Sequence, residues 1–135
     1  MIFRSSILTR NAALVALAGM VDAAAAPGKL EIYGGSQPDS ADEGPGNRPL
    51  LATLSFAKPA FGRPGNGAIG ARPISDGEVI VSGRATWARI SDGAGKTIID
   101  LDVGEEGAPL NLAFTALQQG DRVSVNALVL RMPAG

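Results

Sequence analysis

The sequence predicts an all-β domain, a β-sandwich of Greek-key or jelly-roll type with about seven strands, preceded by one N-terminal α-helix. Three observations carry this. Gly (18) and Pro (9) make up one residue in five, which suits a loop-rich β domain and disfavours a helical bundle. From Lys29 onward apolar residues recur with a period of two. Before Pro27 the spacing is helical instead, so residues 1–26 read as a helix and residues 27–135 as one β domain. At 135 residues the chain has the length of a single domain and enough core to fold without staples.

The helix is expected from about Ser6 to Ala25. Leu14, Leu17 and Val21 follow i, i+3, i+7 spacing, with Leu8, Ala12 and Val15 beside them. Thr9 or Asn11 is the expected cap, and Pro27-Gly28 the stop. An export signal is the competing reading, since Arg4 and Arg10 precede the apolar run Ala12 to Val21 and the small tract Ala23 to Ala26. Two features favour the helix. Ile7 and Leu8 interrupt the basic region, and the last possible cut falls before Pro27. The run is also far short of the roughly 20 residues needed to cross a bilayer.

Leu30 and Ile32 alternate with Glu31 and Tyr33 in a first strand that ends at Gly34-Gly35. Ser36 to Pro49 is a polar loop too poor in apolar residues to fold alone. Leu50, Ala52, Leu54 and Phe56 are expected on one face of a second strand, and Ala68 to Ile74 forms a third. Glu78 to Ile90 is the strongest strand, with a bend at Gly83, and Trp87 is its expected core anchor. Asp92-Gly93-Ala94-Gly95 has hairpin chemistry. Ile99, Leu101 and Val103 return with Asp100 and Asp102 facing water. Leu110, Leu112 and Phe114 form a short strand, and after the Gly120-Asp121 turn Val123, Val125, Ala127 and Val129 line the last.

The chain contains neither Cys nor His, which removes disulfides, thiolate or imidazole metal sites and His-based triads. Its formal charge of −1 argues against a nucleic-acid partner, since phosphate contacts need a basic excess. Gly93-Ala94-Gly95-Lys96-Thr97 lacks the earlier Gly of a phosphate-binding loop, Ile90 standing in its place, and a strand follows it. Asp100, Asp102, Glu105 and Glu106 contain oxygen ligands for Ca²⁺ or a glycosidase carboxylate pair, but a solvated strand face explains them better. Arg84 and Arg89 are placed to pair with Asp100 or Asp102 as a surface contact. No catalytic residue, cofactor or metal is expected.

Several segments in order resemble a family of small bacteriophage virion proteins encoded among head and neck structural genes. They are Arg10-Asn11-Ala12 opening an Ala/Leu-rich helix and Leu30-Glu31-Ile32-Tyr33-Gly34-Gly35-Ser36-Gln37-Pro38. Then come Leu50 to Leu54, Pro59-Ala60-Phe61-Gly62, and Gly83-Arg84-Ala85-Thr86-Trp87-Ala88-Arg89-Ile90. Gly93 with Thr97 to Asp100, Leu110-Asn111-Leu112 and Gly120 to Leu130 complete the set. The Tyr-Gly-x-x-Gln-Pro turn and the Thr-Trp strand are the most specific of them, and the loop at Asp42 to Pro49 is more charged than the pattern. The resemblance implies a non-enzymatic structural role in the virion, at the neck or collar, with capsid decoration or a fibre base as alternatives. Its partners would be copies of itself in a ring or sheath and other virion proteins, not membrane or nucleic acid. Ile7, Leu8, Leu14, Leu17, Val21 and Phe61 are the expected interface or core-closing residues. A periplasmic β-sandwich binding protein with a cleaved leader is the expectation of a different class.

Overall fold

The computed structural model describes residues 2–134. One helix, α1 (Ile7–Val21), precedes eleven short strands. They are β1 (Lys29–Tyr33), β2 (Leu50–Ser55), β3 (Ala68–Gly70), β4 (Gly77–Glu78), β5 (Gly83–Arg84) and β6 (Trp87–Ser91). The rest are β7 (Thr97–Gly104), β8 (Leu110–Leu112), β9 (Ala116–Leu117), β10 (Arg122–Val123) and β11 (Val125–Arg131). Seven form one sheet in the order β2-β1-β6-β7-β8-β11-β3, while β10-β4 and β5-β9 are separate two-stranded ladders. The fold is therefore mostly β with one helix, as composition and periodicity require.

Helix α1 starts where Ser6 leaves extended backbone and its hydroxyl accepts the Thr9 N–H. Ser6 caps it, not Thr9 or Asn11. The Asn11 side chain instead accepts the Gly67 N–H at 2.9 Å, tying the helix to the loop before β3. The helix ends at Val21, four residues before the expected Ala25. There the Asp22 carboxylate accepts the Ala60 N–H at 3.0 Å, and the Lys58 ammonium donates to the carbonyls of Ala24 and Ala25. Those tertiary contacts outweigh the helix propensity of the alanines. Leu14 and Val21 are buried in the same core as the sheet, so the helix packs on its own domain.

The core face of the sheet carries Leu30 and Ile32 of β1, Ala88 and Ile90 of β6, and Ile99 and Leu101 of β7, aligned by antiparallel pairing. Residues from both edge strands, Leu54 on β2 and Ile69 on β3, join that one core. Register shifts correct two expected alternations. On β2 the register skips Leu51, leaving Leu50 opposite Tyr33 and Ala52 opposite Ile32. Leu51 is buried beside Gly83, while Leu50 falls on the opposite face from Ala52 and Leu54. On β11 a shift between Val125 and Ala127 hands the core to Leu128 and Leu130, and Ala127 is exposed. The valine alternation holds at Val123 and Val125 and fails beyond the shift, at Ala127 and Val129.

The expected strand Glu78–Ile90 is broken into β4, β5 and β6. Val79 is buried, whereas Val81 is exposed at the break. Only Ala68–Gly70 of the third expected strand pairs in the sheet, and Phe114 is 72% exposed beyond β8. The turn after β6 forms as expected: Asp92 Oδ1 accepts the N–H groups of Ala94 and Lys96, both at 2.9 Å. Strands β7 and β8 pair in parallel over two residue pairs. Their connection is held by Asn111, which both donates to and accepts from the backbone of Ala108.

Candidate functional site

The Tyr-Gly-x-x-Gln-Pro turn and the Thr-Trp strand meet on the second face of the sheet. Trp87 is fully buried, but among different neighbours from the main core. Its ring stacks on Tyr33 with centroids 4.4 Å apart, and its indole N–H donates to the Gly34 carbonyl at 3.1 Å. The Thr86 hydroxyl donates to the Gly35 carbonyl. Pro38 is buried as well. Trp87 thus sits in a second and smaller core beneath the loop 34–49, separate from the cluster that holds Ala88 and Ile90.

Arg89 follows Trp87 by two residues and therefore shares its face. Its guanidinium lies 5.5 Å from the Trp87 ring centroid and grips Asp100 through two bonds, at 2.7 and 3.0 Å. A further bond at 2.6 Å reaches the Glu43 carbonyl. The two side chains are only 6% and 4% exposed. Asp100 therefore does not face water, and the pair is not the weak surface contact that strand alternation implied. The loop 34–49 is a strap that roofs it. Arg48 closes the strap by donating to the Ser36 and Pro45 carbonyls, and Gly34 N–H donates to the Pro49 carbonyl.

Glu31 stands opposite Arg89 on the neighbouring strand. Burial raises its pKa above the usual 4.5, and the positive charge of Arg89 only partly opposes this. Burial, and then the Glu31 charge, raises the Tyr33 phenol likewise. The Asp100 hydrogen bond holds the Arg89 guanidinium more firmly protonated.

The remaining acidic residues are dispersed. Asp102 is exposed on β7, and Glu105 Oε2 accepts the Thr115 N–H and hydroxyl at 3.0 and 3.1 Å. Arg84 donates to the Thr115 hydroxyl at 3.3 Å and makes neither expected carboxylate pair. No group of three carboxylates able to hold a metal ion occurs among the described residues. Arg84, Glu105 and Thr115 line an open cleft of about 730 Å³ with Thr86 and Glu106.

The candidate interface residues divide cleanly. Leu14, Val21 and Phe61 are buried, Phe61 against Phe56 with ring centroids 5.6 Å apart, and Leu17 packs on the core. They close the core. Ile7 and Leu8 are exposed, Leu8 at 80%. Sequence reading missed the extended arm before the helix, where Phe3 is 83% exposed and only Ser5 is bonded back, its N–H donating to the Ala134 carbonyl at 2.8 Å. It also missed the outward helix face that carries Val15 and Met20. The signal was present: between Ile7 and Val21 the sole charged residue is Arg10. No helix among the described residues is long and apolar enough to cross a membrane.

Comparison with known proteins gives no match: no family model, no curated protein and no solved structure is similar enough to count.

Proposed function

We propose that this chain is a non-enzymatic structural subunit of a bacteriophage virion, working at the neck or collar as repeated copies in a ring or sheath. The supporting observation is the interlocking of the two most specific segments of the resemblance. Tyr33-Gly34-Gly35 and Thr86-Trp87 form one stacked and hydrogen-bonded unit. Residues far apart in the chain that make sense only together favour a shared fold over a chance likeness. We read the seven-stranded sheet and the two small ladders as a β-sandwich of the expected type.

The chemistry is consistent with assembly. The strap is hydrogen-bonded to the sheet, and large apolar side chains stand exposed on the arm, on α1 and at Phe114. Repeated copies in a closed ring multiply a modest contact, so no deep pocket is needed. Capsid decoration and a fibre base are the alternative positions, and the location is the virion in each case. Antibody labelling of purified particles in the electron microscope tests this. Label at one fixed axial position supports the neck reading, label over the whole shell moves the chain to decoration, and unlabelled particles overturn the proposal.

A further inference from the structure

The outward face of α1 is apolar along its length. Leu8, Ala12, Val15, Ala16, Gly19 and Met20 are exposed and fall on one side of the helix, with Thr9 at its margin and no charge among them. Arg10, the helix's one charge, is turned away against Gly67. Such a helix is normally buried on every side. This one has its inner face in the core and its outer face bare.

We propose that this face docks against the same face of a second copy, as a two-fold antiparallel helix pair. The inference rests on the repeated-copy reading above and names the contact. Three observations select a second copy. The first is shape: the face holds both projections and a recess. Nothing lies within 4 Å of a Cβ built on Gly19. An antiparallel crossing sets Leu8 of each copy over Gly19 of the other, and Val15 over Ala12, the reciprocal pairing a two-fold axis demands.

The second is charge. An uncharged face meets its own copy without burying a cation or an anion. A lipid surface would instead favour several Lys and Arg flanking the apolar face, whereas α1 carries the single Arg10, set against Gly67.

The third is area. Burying an aliphatic side chain removes on the order of 60–120 Å² from water and a Phe about 150–250 Å². At the exposures of Phe3, Leu8, Val15 and Met20 this comes to on the order of 350 Å² per copy. A pair, with Ala12, Ala16, Gly19 and intervening backbone added, approaches the ~1,000 Å² at which a weak specific interface begins. Phe3 extends the face at one margin, where with Thr9, Ala13, Met132 and the stem of Arg10 it lines an apolar cleft of about 350 Å³.

The test is sedimentation velocity on the full chain over a wide concentration series, paired with disulfide trapping. Because the chain has no native cysteine, any disulfide reports the introduced ones. Val15→Lys should weaken self-association by about tenfold or more while leaving the melting temperature unchanged. Gln118→Lys, on the exposed turn after β9, should not weaken it. A mixture of Leu8→Cys and Gly19→Cys chains should cross-link more fully than either variant alone. If the chain assembles and Val15→Lys assembles equally well, this contact is wrong while the repeated-copy reading stands. A chain that stays monomeric throughout overturns the contact as well, and the virion reading then depends on the particle labelling alone.

Discussion

At the scale of single residues, the Arg89–Asp100 pair is the most consequential contact. Two charges taken from water hold each other, and removing one leaves the other stranded. Asp100→Asn should destabilise the domain by about 3–5 kcal/mol. Replacing both, as Arg89→Met with Asp100→Leu, should cost less than either single change, because no buried charge is left behind. Denaturant unfolding of the three variants checks this ordering. Additive losses would show that the pair is not the unit we describe. Glu31 gives a prediction with pH. Burial makes it hold its proton more tightly folded than unfolded, so its ionisation costs stability that is lost as pH rises through the carboxylate range and stays lost at neutral pH. Glu31→Gln should raise the melting temperature at pH 7, and its lead should vanish below the ordinary Glu value of 4.5. A Gln variant that melts lower at pH 7 would mean that attraction to Arg89 outweighs burial. Arg89 was legible in the sequence as a partner for an acidic residue on the return strand. Its burial was not, because the roof over it comes from a loop whose polar composition reads as solvated.

At the scale of elements, position on the helix should matter more than residue type. Leu14→Ala removes a fully buried side chain and should cost about 2–5 kcal/mol, whereas Leu8→Ala at an exposed site should cost little. Ser6→Ala should cost about 1 kcal/mol through the lost cap to Thr9. Equal losses at Leu8 and Leu14 in thermal melts would contradict the placement of α1. Gly93 tests the exit of the helix. A Cβ there would lie 2.1 Å from the Ala26 carbonyl oxygen, a backbone atom that cannot simply swing aside. Gly93→Ala should therefore loosen the 23–28 segment from the turn after β6, seen as faster amide exchange in both. Strand positions were largely legible from alternation, above all β1, β6 and β7. The misreadings on β2 and β11 share one cause. A single skipped residue, at Leu51 or between Val125 and Ala127, inverts every side chain beyond it, and no local pattern announces the skip. The helix start was legible, but its end depends on Asp22 and Lys58 reaching partners that only the tertiary fold supplies.

At the scale of the whole molecule, the main core and the strapped second core give a stiff body whose bare apolar surface is concentrated on the arm and helix at its N-terminal end. The helix period left the apolar stripe open to the domain's own core or to a neighbour, and Leu14, Leu17 and Val21, with Phe61 from the loop before β3, turn inward because a helix beside a sheet gives its most apolar stripe to its own core. What remains outside is the smaller-residue face, which amphipathic reasoning passes over. On the function proposed above, such a subunit occurs in the particle in many copies. Quantitative mass spectrometry of density-purified phage particles from the culture that encodes this chain measures that directly. The account predicts the chain in a fixed multiple of other ring-forming virion proteins, retained through purification. Its absence from intact particles, or a trace amount that washes away, would contradict it.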